Sequence, residues 1–249
     1  MLMDPSPPEW LKRQAAPTGV RREFLARVIQ AAGALIAPSD NPSAYCVCKT
    51  GLDVGTTLAQ EDGVHRNLET IEFFSGWGVY SYWARYAGLR SREYDARTRH
   101  EVGNLAKAPG IAYAVYLTNS IVPRGTVLMS PPLGHRDISE FEFSVVVHSV
   151  ASVMFLTHLR GAFYIVQVPR TSQLLKSPPV LAAIGATHGS LVRTMYVETY
   201  KRVEVATVLL SNMPSQCLAH LEDYEGCEGA AAHWPNEDVS VETRGGGGW

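Results

Sequence analysis

The sequence predicts an α/β fold: a doubly wound, mostly parallel sheet finished by an antiparallel hairpin. Three observations carry this. Short apolar runs alternate with longer segments of helical periodicity, which implies crossover connections and helices on both faces of the sheet. The first run ends in a glycine turn, Ser75-Gly76-Trp77-Gly78. The last two runs, 195–200 and 204–210, flank a tight Lys201-Arg202 turn, too short for a crossover, so they pair antiparallel.

Residues 1–20 are rich in proline and turn formers. Residues 22–37 read as a helix, with Phe24, Leu25, Val28, Ile29, Ala32 and Leu35 at three- and four-residue steps. Pro38 and Pro42 close it. Residues 45–67, with Cys46, Cys48 and several glycines, read as a linker. The predicted organisation is an N-terminal extension (1–67), a main domain (68–213) and an acidic, glycine-rich tail (214–249).

Within the main domain, 71–74 is a strand. After the glycine turn, Val79, Tyr82, Trp83, Tyr86 and Ala87 recur at helical spacing up to Gly88; Tyr80, Tyr82, Trp83 and Tyr86 are expected to pack on the sheet, with stacking on a ligand as the alternative. A strand at 92–94 ends in Asp95, and 111–117 is helical. Pro123-Arg124-Gly125 turns into a strand at 126–129, which Ser130-Pro131-Pro132 stops because proline cannot donate to a ladder. A long apolar helix runs over 141–159; its most apolar stretch, 143–159, contains His148 and His158 and falls short of the ~20 residues of a membrane span. Pro169 ends a strand at 162–168, and 172–187 contains a further helix, broken or started late by Pro178-Pro179.

The formal charge is −2, from 22 basic and 24 acidic side chains, so no global field attracts a polyanion and any nucleic-acid contact has to be local. Arg85, Arg90, Arg92, Arg97 and Arg99, interleaved with aromatic residues, form the densest basic stretch; it reads as a solvated face, with phosphate contact as the alternative. Four cysteines do not make a disulfide scaffold or a common zinc ribbon. No metalloprotease or Walker motif occurs, so no metal is expected. Met1 to Pro8 has no signal-peptide character. The expected setting is intracellular, cytoplasmic or nuclear, without membrane.

At the end of the first strand, glycines let backbone N–H groups and a helix N-terminus face a ligand. Asp95 lies about 20 residues on, where a carboxylate accepts from ribose hydroxyls. The plainer alternative is that Gly76 and Gly78 only permit close packing and Asp95 is a solvated turn residue. Glu72, inside an apolar strand, needs a partner: the amino end of a ligand, or a basic group.

Ile71-Glu72-Phe73-Phe74-Ser75-Gly76-Trp77-Gly78 resembles the first motif of the cytosine-5 DNA methyltransferases, and Ser130-Pro131-Pro132 resembles their Pro-Pro-Cys loop. The layout over 68–213 is also similar to an uncharacterised methyltransferase-like group abundant in dinoflagellate algae, with Val166-Gln167-Val168-Pro169 at their Glu-Gln-Pro position. The resemblance implies a sheet of the S-adenosylmethionine-dependent methyltransferase type. It implies S-adenosyl-L-methionine as cofactor, lined by Glu72, Phe73, Ser75, Gly76 and Gly78, with Asp95 on the ribose and Asn104 near the adenine. It places Ser130, Pro131 and Pro132 in the catalytic loop. His135, close by in sequence, is a candidate base, or a plain loop histidine.

The family's chemistry is incomplete. Methylation of cytosine carbon 5 needs a thiolate nucleophile, and Leu133 follows the two prolines. The acid position carries Gln167, whose amide cannot deliver a proton. Leu133 is also not the aromatic platform on which a flipped base stacks. Two readings stay open: a methyltransferase of unknown substrate, or an inactive relative that binds or scaffolds. An oxidoreductase is disfavoured by the hairpin.

Overall fold

The computed structural model describes residues 43–61, 67–75, 78–95, 103–131, 138–198, 203–214 and 217, with backbone alone for 192–198 and 203–206. Alternation builds the strands: in β1 (Leu68–Phe73) Ile71 and Phe73 face one side and are fully buried, while Thr70 and Glu72 face the other. α2 (Val79–Tyr86) follows, then β2 (Ser91–Tyr94). α3 (Ala108–Asn119) starts with proline in its first turn, where the missing N–H is no loss. Alanine and glycine on several of its faces let it be buried all round.

β3 (Ile121–Met129) leads to α4 (Glu140–Leu159), opened by a capping box in which Ser139 and Glu142 satisfy each other's backbone N–H groups. β4 (Phe163–Pro169), a 3-10 turn (Gln173–Lys176), α5 (Pro178–Thr187) and the strands β5 (Ser190–Glu198) and β6 (Val203–Ser211) complete the chain order.

The sheet order is β2-β1-β3-β4-β6-β5. The first four strands are parallel, and β6 runs antiparallel to both β4 and β5. The chain leaves β1 in one direction and returns to its other side, which puts a topological switch point at the carboxyl ends of β1 and β3. Right-handed crossovers place α2 and α3 on opposite faces. Beneath α3 and α4 lies the main core, with Ile71, Phe73, Val127, Met129, Tyr164, Val166 and Leu210 buried. The molecule thus has an α/β fold whose mixed, mostly parallel sheet is closed by an antiparallel pair, resembling the S-adenosylmethionine-dependent methyltransferase architecture.

Three sequence expectations are corrected. Residues 45–67 are not simply a linker: α1 (Ala44–Glu61) occupies most of them and packs on α3 and α4. Gly51 and Gly55 lie on its contact line; a Cβ at Gly51 would come 2.5 Å from Ile111 Cβ, and one at Gly55 would meet the Ala112 carbonyl oxygen. Pro123-Arg124-Gly125 does not precede its strand but forms an irregularity within β3, where the pairing with β1 shifts register and Arg124 adopts φ 64°. The 172–187 segment follows the expectation instead: its helix starts late, at Pro178, after the 3-10 turn. Trp83 and Tyr86, expected on the sheet, are 54% and 76% exposed; Ser81 and Ala84 are the buried residues of α2.

The predicted helix at 22–37 and the Lys201-Arg202 turn lie outside the described residues. α4 is long and apolar enough to cross a membrane, but its most apolar window is 56% buried inside the protein.

Candidate cofactor-binding site

The carboxyl ends of β1, β2 and β3 meet at one edge of the sheet. Ser75 N–H donates to the Tyr94 carbonyl (3.4 Å), and Ser130 N–H donates to the Phe73 carbonyl (3.2 Å). These bonds bring Ser75, Asp95 and Ser130 to neighbouring positions. Gly78 closes the turn in the left-handed region at φ 67°, its N–H donating to the Ser75 carbonyl at 2.8 Å. A Cβ there would sit 2.9 Å from Glu93 Oε2, so both conformation and space call for glycine.

Ser75 Oγ is buried and makes no hydrogen bond within the protein. A buried hydroxyl without a partner is costly enough to ask what satisfies it, and here it stands beside the glycine turn. Asp95 is only 6% exposed, which disposes of the solvated-turn reading. Pro131 is buried as well.

Within the protein, Glu72 meets a backbone amide rather than a basic group. Its Oε2 accepts from Ser81 N–H at 2.8 Å, the third residue of α2 and one of the amide groups a helix start leaves unpaired. Since Gly78 offers no capping side chain, the strand carboxylate caps the helix in its place and sits at the positive end of its dipole. Burial pushes the Glu72 carboxyl above the usual range, opposed by the amides of Ser81 and Tyr80. Tyr80 is raised too, by burial and by the Glu72 charge.

Phe73 faces the main core, its ring 5.2 Å edge-on from Tyr94. Asn104 Oδ1 accepts from Ala106 N–H at 2.8 Å, and so shapes the turn into α3. The Tyr94 hydroxyl donates to the Gly110 carbonyl at 2.6 Å, which anchors β2 to that same turn. Gly76, Pro132 and His135 lie outside the described residues.

Sequence reasoning missed Glu93. It stands beside Glu72 in the register, borders Gly78 and pairs with Arg85 at 2.8 Å; the shared strand position was the available signal. No thiol takes the nucleophile's place among the described residues: Cys48 is buried in α1, its thiol raised by that burial, and Cys46 and Cys217 are exposed. Nor do the described residues contain a cluster of three or more metal-ligating side chains.

No family model matches the sequence, and no curated protein matches it. A solved structure described as that of a "putative RNA methyltransferase" from Pyrococcus horikoshii is similar at 13% identity, covering 75% of this chain and 97% of that one, with a TM-score of 0.28. The fold assignment rests on the strand order and the closing hairpin.

Proposed function

We propose that the protein binds S-adenosyl-L-methionine at the carboxyl edge of β1 and β2 and belongs functionally with the methyltransferase-like proteins. The observation that carries this is the meeting of an unpartnered buried Ser75 hydroxyl, the left-handed Gly78 and the buried Asp95 at the switch-point edge. The residues fit the cofactor. Asp95 would accept from the ribose hydroxyls, Ser75, Gly76 and Gly78 would give the ligand close access to backbone and helix start, and Asn104 would stand on the adenine side. Glu72 supports the pocket by holding α2, and its carboxylate would stand toward the amino end of the methionine moiety.

When bound, the cofactor supplies an electrophilic methyl group. Ser130 and Pro131 follow the neighbouring strand; with Pro132, next in sequence, they would position an acceptor, and His135 is the proposed base. Leu133 and Gln167 exclude the covalent route to cytosine carbon 5. The order of motifs over 68–213 supports the finer kinship with the dinoflagellate group. The same two residues favour a second reading, an inactive relative that keeps the pocket and serves as a binding or scaffold protein.

Methyl-label transfer from radioactive cofactor to DNA, RNA, protein and small-molecule pools decides between them. Label on any acceptor other than cytosine carbon 5 supports an enzyme. Cofactor binding without label in any pool supports the inactive reading, and label on cytosine carbon 5 contradicts both.

A further inference from the structure

α5 contains no charged side chain. Val180, Ala183 and Thr187 are its buried residues, and the side away from them is apolar as well: Pro178, Leu181, Ala182 and Ala186 are exposed. A helix that keeps one side in water carries polar residues there, whereas one that is apolar all round is a covered helix.

α4, on which α5 packs, continues this surface. Phe155 and Leu159 are 43% and 62% exposed. With the half-buried Ser144, His148 and Ser152 they follow one another at three- and four-residue steps, along one line of the helix. α1 borders that line: the Tyr45 ring stands 6.3 Å edge-on from His148, and Cys48 Sγ lies 3.6 Å from Ser152 Oγ. Tyr45 is itself exposed. α1 also packs on α3, and the right-handed crossovers set α3 and α5 on opposite flanks of α4. The outer side of α4 is therefore a trough, with α1 along one wall and α5 along the other.

We propose that residues 22–37 fill this trough as a further helix, docked antiparallel beside α1. Their apolar stripe, Phe24, Leu25, Val28, Ile29, Ala32 and Leu35, has Glu23, Arg27 and Gln30 opposite it, a one-sided pattern that needs an apolar surface to cover. A helix over 22–37 would be about 24 Å long, close to the ~27 Å of α1. Residues 38–43 connect the two and span at most ~20 Å, enough to step across one helix diameter of about 10 Å. Connections this short join antiparallel neighbours, and Pro38 keeps the helix from running on into α1. On the other flank of α1, α3 is already buried almost throughout, which leaves the side of α4 and α5. Tethering favours this occupant over a second copy, since a short linker sets an effective concentration on the order of millimolar. None of these residues belongs to the cofactor edge.

Hydrogen–deuterium exchange of the full chain, read by mass spectrometry, tests the docking. Amides of 24–36 are expected to exchange on the order of a hundredfold or more slower than those of an unstructured chain, because an undocked helix of this length is marginal in water and gives little protection. Phe155→Glu with Ala182→Glu, both at exposed positions, should reduce that protection by about tenfold or more, while β1 and β3 keep theirs and so show that the domain is folded. From the other side of the contact, Val28→Glu with Ile29→Glu should speed exchange in α5.

Unprotected amides over 24–36 in the full chain would overturn the proposal. So would protection unchanged in the folded Phe155→Glu, Ala182→Glu variant. Should that variant fail to fold, unchanged α5 exchange in the Val28→Glu, Ile29→Glu variant counts against the docking equally. Protection that disappears on dilution, together with a dimer on size exclusion, would make a second copy the occupant and would also overturn it.

Discussion

Glu72 shows how one residue ties the strand to the helix that follows it. Its carboxyl is held above the ordinary value of 4.5, chiefly by burial. The native state therefore binds the proton more tightly than the unfolded chain does, and stability is lost as pH rises through the folded value. Glu72→Gln should remove that loss. The variant's unfolding free energy relative to the wild type is expected to move in its favour from pH 4.5 upward. Urea denaturation at pH steps measures it, and a difference that stays constant with pH would contradict the assignment.

Gly78 makes a second residue-scale prediction. At φ 67° with Glu93 Oε2 2.9 Å from an added methyl, Gly78→Ala should destabilise by about 1–2 kcal/mol. An unchanged denaturation midpoint would show that the turn is not confined. The need for glycine here was legible from its place between strand and helix, whereas the partner of Glu72 was not. A backbone amide on the next helix leaves no mark in residue identity, so the reading looked for charged groups instead.

At the scale of elements, α1 and α2 depart most from the sequence reading, for opposite reasons. In α1 the glycines resembled linker residues, yet they are what allows the helix to lie against α3; Val47, Cys48, Val54 and Leu58 supplied the missing periodicity. Two alanine substitutions separate these roles. Gly55→Ala, which would push into the Ala112 carbonyl and Val115, should cost about 1–3 kcal/mol. Gly185→Ala in α5, with open space around it, should stabilise by about 0.5–1 kcal/mol through helix propensity. Denaturant midpoints that move in the same direction for both would contradict the packing of α1. In α2 the aromatic spacing was read correctly as helical, but spacing alone does not say which face turns inward, and the buried carboxylate and hydroxyls of β1 and β2 drew the polar side in.

For the whole molecule, the parallel run of strands and the closing hairpin were legible because periodicity and connection length fix them together. The bulge within β3 was not, since a proline and a glycine mark a turn and a strand irregularity alike. The candidate site was legible in part: Ser75, Gly78, Asp95 and Ser130 come together at the switch-point edge as the motif order implied, whereas Phe73 joins the core and Asn104 holds a turn. The central claim is that this edge is a cofactor pocket, and titration calorimetry of the full chain with S-adenosyl-L-methionine tests it most directly. The account predicts saturable binding with a Kd on the order of micromolar, worth about 8 kcal/mol, that is lost in a folded Asp95→Ala variant. No heat of binding at saturating cofactor, or equal binding by the variant, would contradict it.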